Sequence, residues 1–456
     1  MLRVFTPAVL LSFPHGVGRL LIFSYLESVR LMLPTRTNTL RSTKSLLPQA
    51  GRLTLAALLL LGIAAAPAVH AQGYTLKTLA NFNGVNGSNL SGGLTLGGNT
   101  LYGTAYDGGT DGFGTIFSVP TTGGTATTLA SFNGANGSYL TGTLILSGNT
   151  LYGTAQQGGA SGYGTVFSLP ISGGTPTVLA TFNGANGNDP GLKLAISGSM
   201  LYGTTAGGGA FNRGEVFSLP TTGGAPTILT SFDGKNGSAP SAGLTISGST
   251  LYGVTQTGGG FGTVFSLPTT GGSPTTLATF DGGVASNSYA GVTISGSTLY
   301  GTTEHSGPGG FGTVYSVPIT GGTPTILATF KDTTKGAYPY GDITVSGSTL
   351  YGTTTLGGPA NDGTVFSLPM GGGTPTMIAS FSGLNGANPY GSLTLSDGIL
   401  YGTTAQGGTG KGGTVFALIP NGVPVPEASS LISFGLLLVG GLGGLVLRRR
   451  RRTAAA

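Results

Sequence analysis

The tripeptide Leu-Tyr-Gly recurs seven times, beginning at Leu101, Leu151, Leu201, Leu251, Leu299, Leu350 and Leu400. A unit of about fifty residues is thus copied with almost no drift, and few folds accommodate that. A repeat of this length, rich in short apolar stretches, cannot bury its faces alone and gains a core only by stacking on its neighbours, as propeller blades do. Gly (88 residues) and Pro (25) together make up about a quarter of the chain, which on composition alone suggests low complexity. The regular return of Leu, Val, Ile, Phe and Tyr overrides that reading, because a disordered chain has no reason to hold aromatics at fixed spacing.

Within one unit, Gly191 to Phe232, the pattern predicts four strands. Leu192-Lys193-Leu194-Ala195-Ile196 alternates as a half-buried strand does, and Ser197-Gly198-Ser199 turns the chain into Met200 to Thr205. A Gly-rich loop leads to Glu215 to Leu219, which Pro220 closes. Thr222-Gly223-Gly224 then turns into Pro226 to Phe232. The fourth-strand motif also occurs seven times, ending at Phe82, Phe132, Phe182, Phe232, Phe280, Phe330 and Phe381, but it is offset: one copy precedes the first full unit, and the last unit stops after its third strand at Val415 to Leu418. The array is permuted by one strand. Tyr74 to Phe82 is therefore expected to complete the last blade, giving an all-β, seven-bladed propeller with no open edge at the seam.

Charge and residue type exclude several functions. Twelve of the nineteen basic residues lie before residue 53 or in Arg448 to Arg452. Between Gln72 and Pro420, seven Lys or Arg face eleven Asp or Glu, so no basic surface exists to displace counterions from a nucleic acid. There is no cysteine, and His305 is the one histidine after residue 70, which disfavours zinc or copper; no cofactor is expected. Glu304 and His305, adjacent on a Gly-rich loop, read as solvated residues rather than an acid and base pair. The Phe-[Asn/Asp/Ser]-Gly-x-Asn-Gly segments read as turns rather than calcium loops, since most lack a carboxylate. The Gly-rich loops lack the Gly-Lys-Ser/Thr ending of a phosphate cradle.

The ends of the chain read as addresses. Residues 1–71 are a signal-peptide region, with an apolar run Leu53 to Ala66 after Arg36, Arg41, Lys44 and Arg52, and a small-residue end at Ala71; Met32 would start a signal of ordinary length. The repeats fill 72–420 and a linker occupies 421–430. Residues 431–447 carry no charge and rise about 26 Å as a helix, enough to span a bilayer core once, with the basic tail 448–456 staying cytoplasmic. Pro426-Glu427-Ala428, this apolar stretch and the run from Arg448, Arg449 and Arg450 onward resemble the PEP-CTERM sorting signal of Gram-negative bacteria, with Ala428 in the place of the second proline. The resemblance implies an exosortase partner, transient anchoring in the inner membrane, and delivery to the surface or extracellular matrix.

The repeats themselves resemble the GloVer tandem repeat of bacterial surface proteins, whose Gly-rich loop leads into Gly-Thr-Val-Phe. The motif stands at Gly114, Gly164, Gly262, Gly312, Gly363 and Gly413, with Glu215 replacing Thr in the third copy. The resemblance implies a repeat scaffold and no particular activity. In a four-stranded blade, the turns joining strands one to two and three to four share one face, which here is monotonous. The opposite face differs from blade to blade, with Asp107, Asp111, Arg213, Glu304, His305 and Asp362 between strands two and three, and Asp189, Asp233, Lys235, Lys331 and Asp332 between blades. Variable polar loops on a rigid scaffold are expected to bind. The expected function is non-enzymatic binding of a polysaccharide or envelope protein. The alternatives are a propeller-type glycan lyase or hydrolase, marked by ionisable groups converging near the axis, and adhesion to an ordered surface such as ice through an exposed Thr ladder. The seven Leu-Tyr-Gly tyrosines are expected to pack between blades.

Overall fold

The computed structural model describes residues 73–282 and 288–422. Each repeat folds as the alternation dictates. In the first, β2 (Thr95–Gly97), β3 (Thr100–Ala105), β4 (Thr115–Pro120) and β5 (Thr127–Ser131) follow β1 (Tyr74–Asn81) and pair antiparallel in the order β2-β3-β4-β5. Seven such sheets, two of them with an extra three-residue strand (Asn188–Pro190 and Ala337–Pro339), form a seven-bladed propeller, and among the described residues there is no helix. The offset in the sequence closes the ring. In the last sheet β1 takes the fourth place, from Tyr74 opposite Pro420 to Asn81 opposite Thr414.

Leu-Tyr-Gly and Gly-Thr-Val-Phe depend on one another. Gly103 lies opposite Phe117 in register, and a Cβ there would sit 2.4 Å from the Phe117 ring. The glycine makes room for the aromatic, so the two motifs travel together. That phenylalanine is fully buried and meets the strand-ending phenylalanine of the preceding blade. Phe82 and Phe117 stand 4.6 Å apart between centroids, and Phe132–Phe167, Phe182–Phe217, Phe232–Phe265, Phe280–Tyr315, Phe330–Phe366 and Phe381–Phe416 repeat the contact at 4.9–5.2 Å. Each pair adds roughly 0.5–1.5 kcal/mol beyond area burial. The Leu-Tyr-Gly tyrosines also join blades: Tyr102 packs with Leu144, Leu151 and Phe167 of the next one.

A second fastening uses the backbone. In β5 the register shifts between its two ends, bulging Leu129 out of the ladder, and its freed carbonyl accepts the N–H of Gly174 from the next blade at 3.0 Å. The same bond links Leu79 to Gly124, Leu179 to Gly224, Leu229 to Gly272, Leu277 to Gly322 and Leu327 to Gly373 at 2.8–3.0 Å. The monotonous Thr-Thr-Gly-Gly face is thus built for assembly. Threonines serve the same end: Thr104 Oγ1 donates to the Gly142 carbonyl at 2.8 Å and Thr403 Oγ1 to that of Gly92 at 2.8 Å, with Thr154, Thr204, Thr302 and Thr353 bonding likewise. All six are buried, so these residues form no exposed Thr ladder.

The third blade departs from this regularity. In four blades two buried hydroxyls face each other across strands two and three, as in Thr255–Thr263, Thr303–Thr313, Thr354–Thr364 and Thr404–Thr414, at 2.7–2.8 Å. Glu215 replaces the second threonine opposite Thr205 and is 2% exposed. Ser231 donates to its Oε1 at 2.9 Å, whereas its Oε2 and Thr205 Oγ1 have no partner. Burial pushes the carboxyl above its ordinary value.

Candidate functional site

The loops of the variable face divide into a periphery and a centre. Leaving each outer strand, the chain makes a tight turn at the rim and runs back over the face to the axis. At the rim, polar side chains build the turns. Asn136 Oδ1 accepts the N–H of Asn133 at 3.0 Å, and Asn133 Oδ1 accepts that of Asn136 at 3.1 Å. Asp233 occupies the same place and accepts the N–H groups of Lys235 and Asn236 at 2.8 and 3.0 Å; Asp332 accepts the hydroxyl of Thr334 and its N–H, the latter at 2.8 Å. These bonds hold both carboxyls below their ordinary value. Asp233, Lys235, Lys331 and Asp332 are exposed turn residues, and Arg213 lies over the turn at Gly234. Asp111 is exposed beside Thr110, and Asp362 is half-buried near Gly383. No group of three or more metal-ligating side chains occurs among the described residues.

Toward the axis the backbone is strained at one repeated position. Asn89, Tyr139, Asp189, Ala239, Tyr338 and Asn388 all adopt left-handed conformations with φ of 52–61°. Each such residue costs of order 1 kcal/mol or more. Hydrogen bonds on both sides hold them: the Tyr139 N–H donates to the Phe113 carbonyl at 3.1 Å, while the Tyr139 carbonyl accepts from Gln156 N–H at 3.3 Å. The chain then turns inward, placing the residue two positions on at the mouth of the axis. In blade order that residue is Ser91, Thr141, Gly191, Ser241, Tyr289, Tyr340 and Tyr390.

Three consecutive blades therefore present tyrosine where the other four present small residues. The Tyr289 and Tyr340 rings stack at 5.1 Å and 15°, and Tyr390 meets Tyr340 edge-on at 5.1 Å and 89°. All three are half-buried. Together with Ser91, Lys193 and Asp342 they line an axial cavity of about 30 Å³. Lys193 Nζ lies 3.7 Å from Asp342 Oδ2, with side chains 39% and 21% exposed, and Asp342 Oδ1 accepts the Gly291 N–H at 2.7 Å. Ser91 Oγ is buried without a partner.

Glu304 stands beside this wall. It follows the second strand of its blade, where the others carry Tyr106, Gln156, Ala206, Gln256, Thr355 and Ala405. Its side chain is 18% exposed, its Oε2 lies 3.4 Å from His305 Nε2, and burial raises its carboxyl while His305 pulls the other way. The hydroxyls of Tyr340, Tyr390 and Tyr289 are raised too, first by burial and then by the charge of Glu304. The His305 ring packs edge-on against Tyr338 at 5.1 Å. Toward the first blades, Tyr106 stacks on Tyr139 at 4.8 Å, near Asp107 and Asp189. Burial raises Asp107, and a bond from Asn89 lowers it. This half-exposed surface of tyrosine faces and carboxylates can stack flat ligands and accept hydrogen bonds.

Of the residues singled out from sequence, Glu304, His305, Asp107 and Asp189 belong to this central region. The tyrosines and the Lys193–Asp342 pair were not anticipated. Lys193 was expected in the first strand of its blade, but that strand is Ala195–Ser197, because the chain is still crossing the axis at Leu192 and Lys193. Aligning the residue four before each inner strand across all repeats exposes the run Tyr289, Tyr340, Tyr390. Pro426, Glu427, Ala428, the 431–447 segment, the arginines from Arg448, and the signal region with Met32 lie outside the described residues.

No curated protein matches the sequence. Among solved structures, the chain is similar to a candidate 6-phosphogluconolactonase from Bacteroides uniformis ATCC 8492, with a TM-score of 0.46 and 19% identity over 68% of this chain and 88% of that one. It is also similar to a candidate 6-phosphogluconolactonase from Bacteroides fragilis NCTC 9343 (0.44, 16%, 74% and 89%) and a candidate TolB from Agrobacterium tumefaciens (0.37, 14%, 60% and 87%). Likeness this remote says nothing about activity. Sequence is more direct: a family model matches residues 68–263 and 259–441, and the chain belongs to the Gloeobacter/Verrucomicrobia repeat family.

Proposed function

We propose that this protein is an exported, non-enzymatic scaffold that binds a polysaccharide at the axial mouth of its variable face. The observation that supports this reading is the half-exposed wall of Tyr289, Tyr340 and Tyr390. Blade packing does not require it, since the phenylalanine pairs and Leu-Tyr-Gly tyrosines already join the blades, and aromatic faces beside carboxylates suit the apolar faces and hydroxyls of a sugar. The axial cavity of about 30 Å³ is too small for a sugar ring, so a polymer would lie across the face. Pro426-Glu427, the uncharged 431–447 stretch and Arg448 to Arg452 support delivery to the cell envelope or matrix through an exosortase-type enzyme.

The rival reading, a glycan lyase or hydrolase, draws on Glu304 and Asp342, two carboxyls beside the axis. Asp342 is tied to Lys193 and to a backbone N–H, and Glu304 lies beside His305, so each carboxyl already has a partner in the folded chain. A glycan array probed with the full chain and with Tyr390→Ala is the test. Binding to a defined set of glycans, lost in the variant and without product formation, is expected. Cleaved glycan would support the enzyme, and silence on the array would overturn glycan binding in favour of an envelope-protein partner.

A further inference from the structure

We infer that the tyrosine wall of the fifth to seventh blades, with Glu304, is a subsite for an amine-bearing sugar unit of a polymer. The inference rests on the reading of this face as a glycan-binding surface and adds the class of sugar. Three features of the mouth lead to it. The first is aromatic asymmetry: tyrosines occupy one arc, stacked and crossed at 5.1 Å, while Ser91, Thr141, Gly191 and Ser241 occupy the other. A wall on one side orients a flat ring, where a symmetric collar would not.

The second is charge. On the wall's side stand Asp342, which lines the axial cavity, and Glu304, whose neighbour His305 packs edge-on against Tyr338, two residues before Tyr340, at 5.1 Å. The cations nearby are Lys193, held against Asp342 at 3.7 Å, and His305, 3.4 Å from Glu304. Ring faces attract cations, and a carboxylate accepting from an ammonium group makes a charge-assisted bond. A uronate would instead bring its carboxylate against Glu304 in a partly desolvated site, where like charges repel most strongly.

The third is size. The axial cavity of about 30 Å³ has room for one or two water-sized groups and none for a ring. The cavity itself is lined by Lys193 as well as by Asp342 and by Ser91, whose buried Oγ has no partner. A pyranose ring resting on the wall would therefore turn its amino substituent toward Glu304 at the edge of the mouth, away from Lys193, while its ring stayed on the face.

The experiment compares three probes on the full chain by calorimetry: a glucosamine hexamer, the N-acetylglucosamine hexamer and a galacturonate hexamer. The glucosamine hexamer is expected to bind at least about tenfold more tightly than its acetylated form, the scale of one charge-assisted bond, and the galacturonate more weakly than either. Glu304→Gln should bring the first two within about twofold of each other, whereas Asp332→Asn, which removes an equal charge at the rim, should leave their ratio unchanged. Equal binding of the two glucosamine forms overturns the inference and leaves glycan binding standing. A ratio lost equally in Asp332→Asn also overturns it, since general charge attraction would then explain the preference. Binding by none of the three overturns the inference, and silence on the wider array would be needed to remove the reading beneath it.

Discussion

At the seams between blades, seven aromatic pairs hold their centroids 4.6–5.2 Å apart, and six Leu-to-Gly backbone bonds vary by only 0.2 Å. At the axial mouth, equivalent positions run from Gly191 to Tyr390 and share neither size nor chemistry. The physical demands differ. A ring closes only if every blade presents the same surface to its neighbour, so each seam is constrained by all the others. The mouth faces solvent and answers to no neighbouring blade, which frees it to differ. Strain recurs there too: six left-handed non-glycine residues lie on the approach to the mouth, held by bonds such as those of Tyr139 to Phe113 and Gln156.

The largest loss is expected at the seam that β1 completes. Deleting Tyr74 to Phe82 removes the buried Leu79, Ala80 and Phe82 together with a strand that pairs over its whole length. The loss should exceed about 5 kcal/mol, the top of the range for one core truncation, and appear as rapid proteolysis and loss of a single unfolding transition. An equally protease-resistant monomer would mean that the seams do not carry the ring. Phe265→Ala removes one of the seven pairs and should cost roughly 3–5 kcal/mol in denaturant unfolding. An unchanged midpoint would show that one seam is dispensable.

The smallest effect lies at the blade that breaks the pattern. Glu215→Thr restores the hydroxyl pair found in four other blades and should stabilise the domain at neutral pH by about 1–3 kcal/mol, the cost of a buried polar group without a partner. The folded chain raises the Glu215 carboxyl above its unfolded value, so the folded state holds this proton more tightly. Stability from this group is full below the unfolded value and is lost as pH rises through the folded one. The advantage of the variant should therefore shrink as the pH falls toward 4.5, the ordinary value of the group. An advantage that held constant across that window in thermal melts would show that Glu215 is not the source.

Much of the scaffold is legible in the chain. Leu-Tyr-Gly, the strand-ending phenylalanines and their one-strand offset are local patterns whose burial preferences admit little besides a closed ring, and β1 pairs with the last three strands as that offset requires. The central site is much less legible. Asp233 and Asp332 look like ligands in the sequence and serve as turn acceptors, because a carboxylate next to free backbone N–H groups satisfies them first. Lys193 and Asp342 are 149 positions apart and become neighbours only because seven connections meet at one axis.

The number of blades, how each one folds and how the ring closes follow from the periodicity of the chain and from which side chains avoid water. Which polar residues gather into one surface was decided by the tertiary structure alone. Residues from blades far apart in the chain share the mouth because the ring brings their equivalent positions within a few ångströms, and no local pattern encodes that distance.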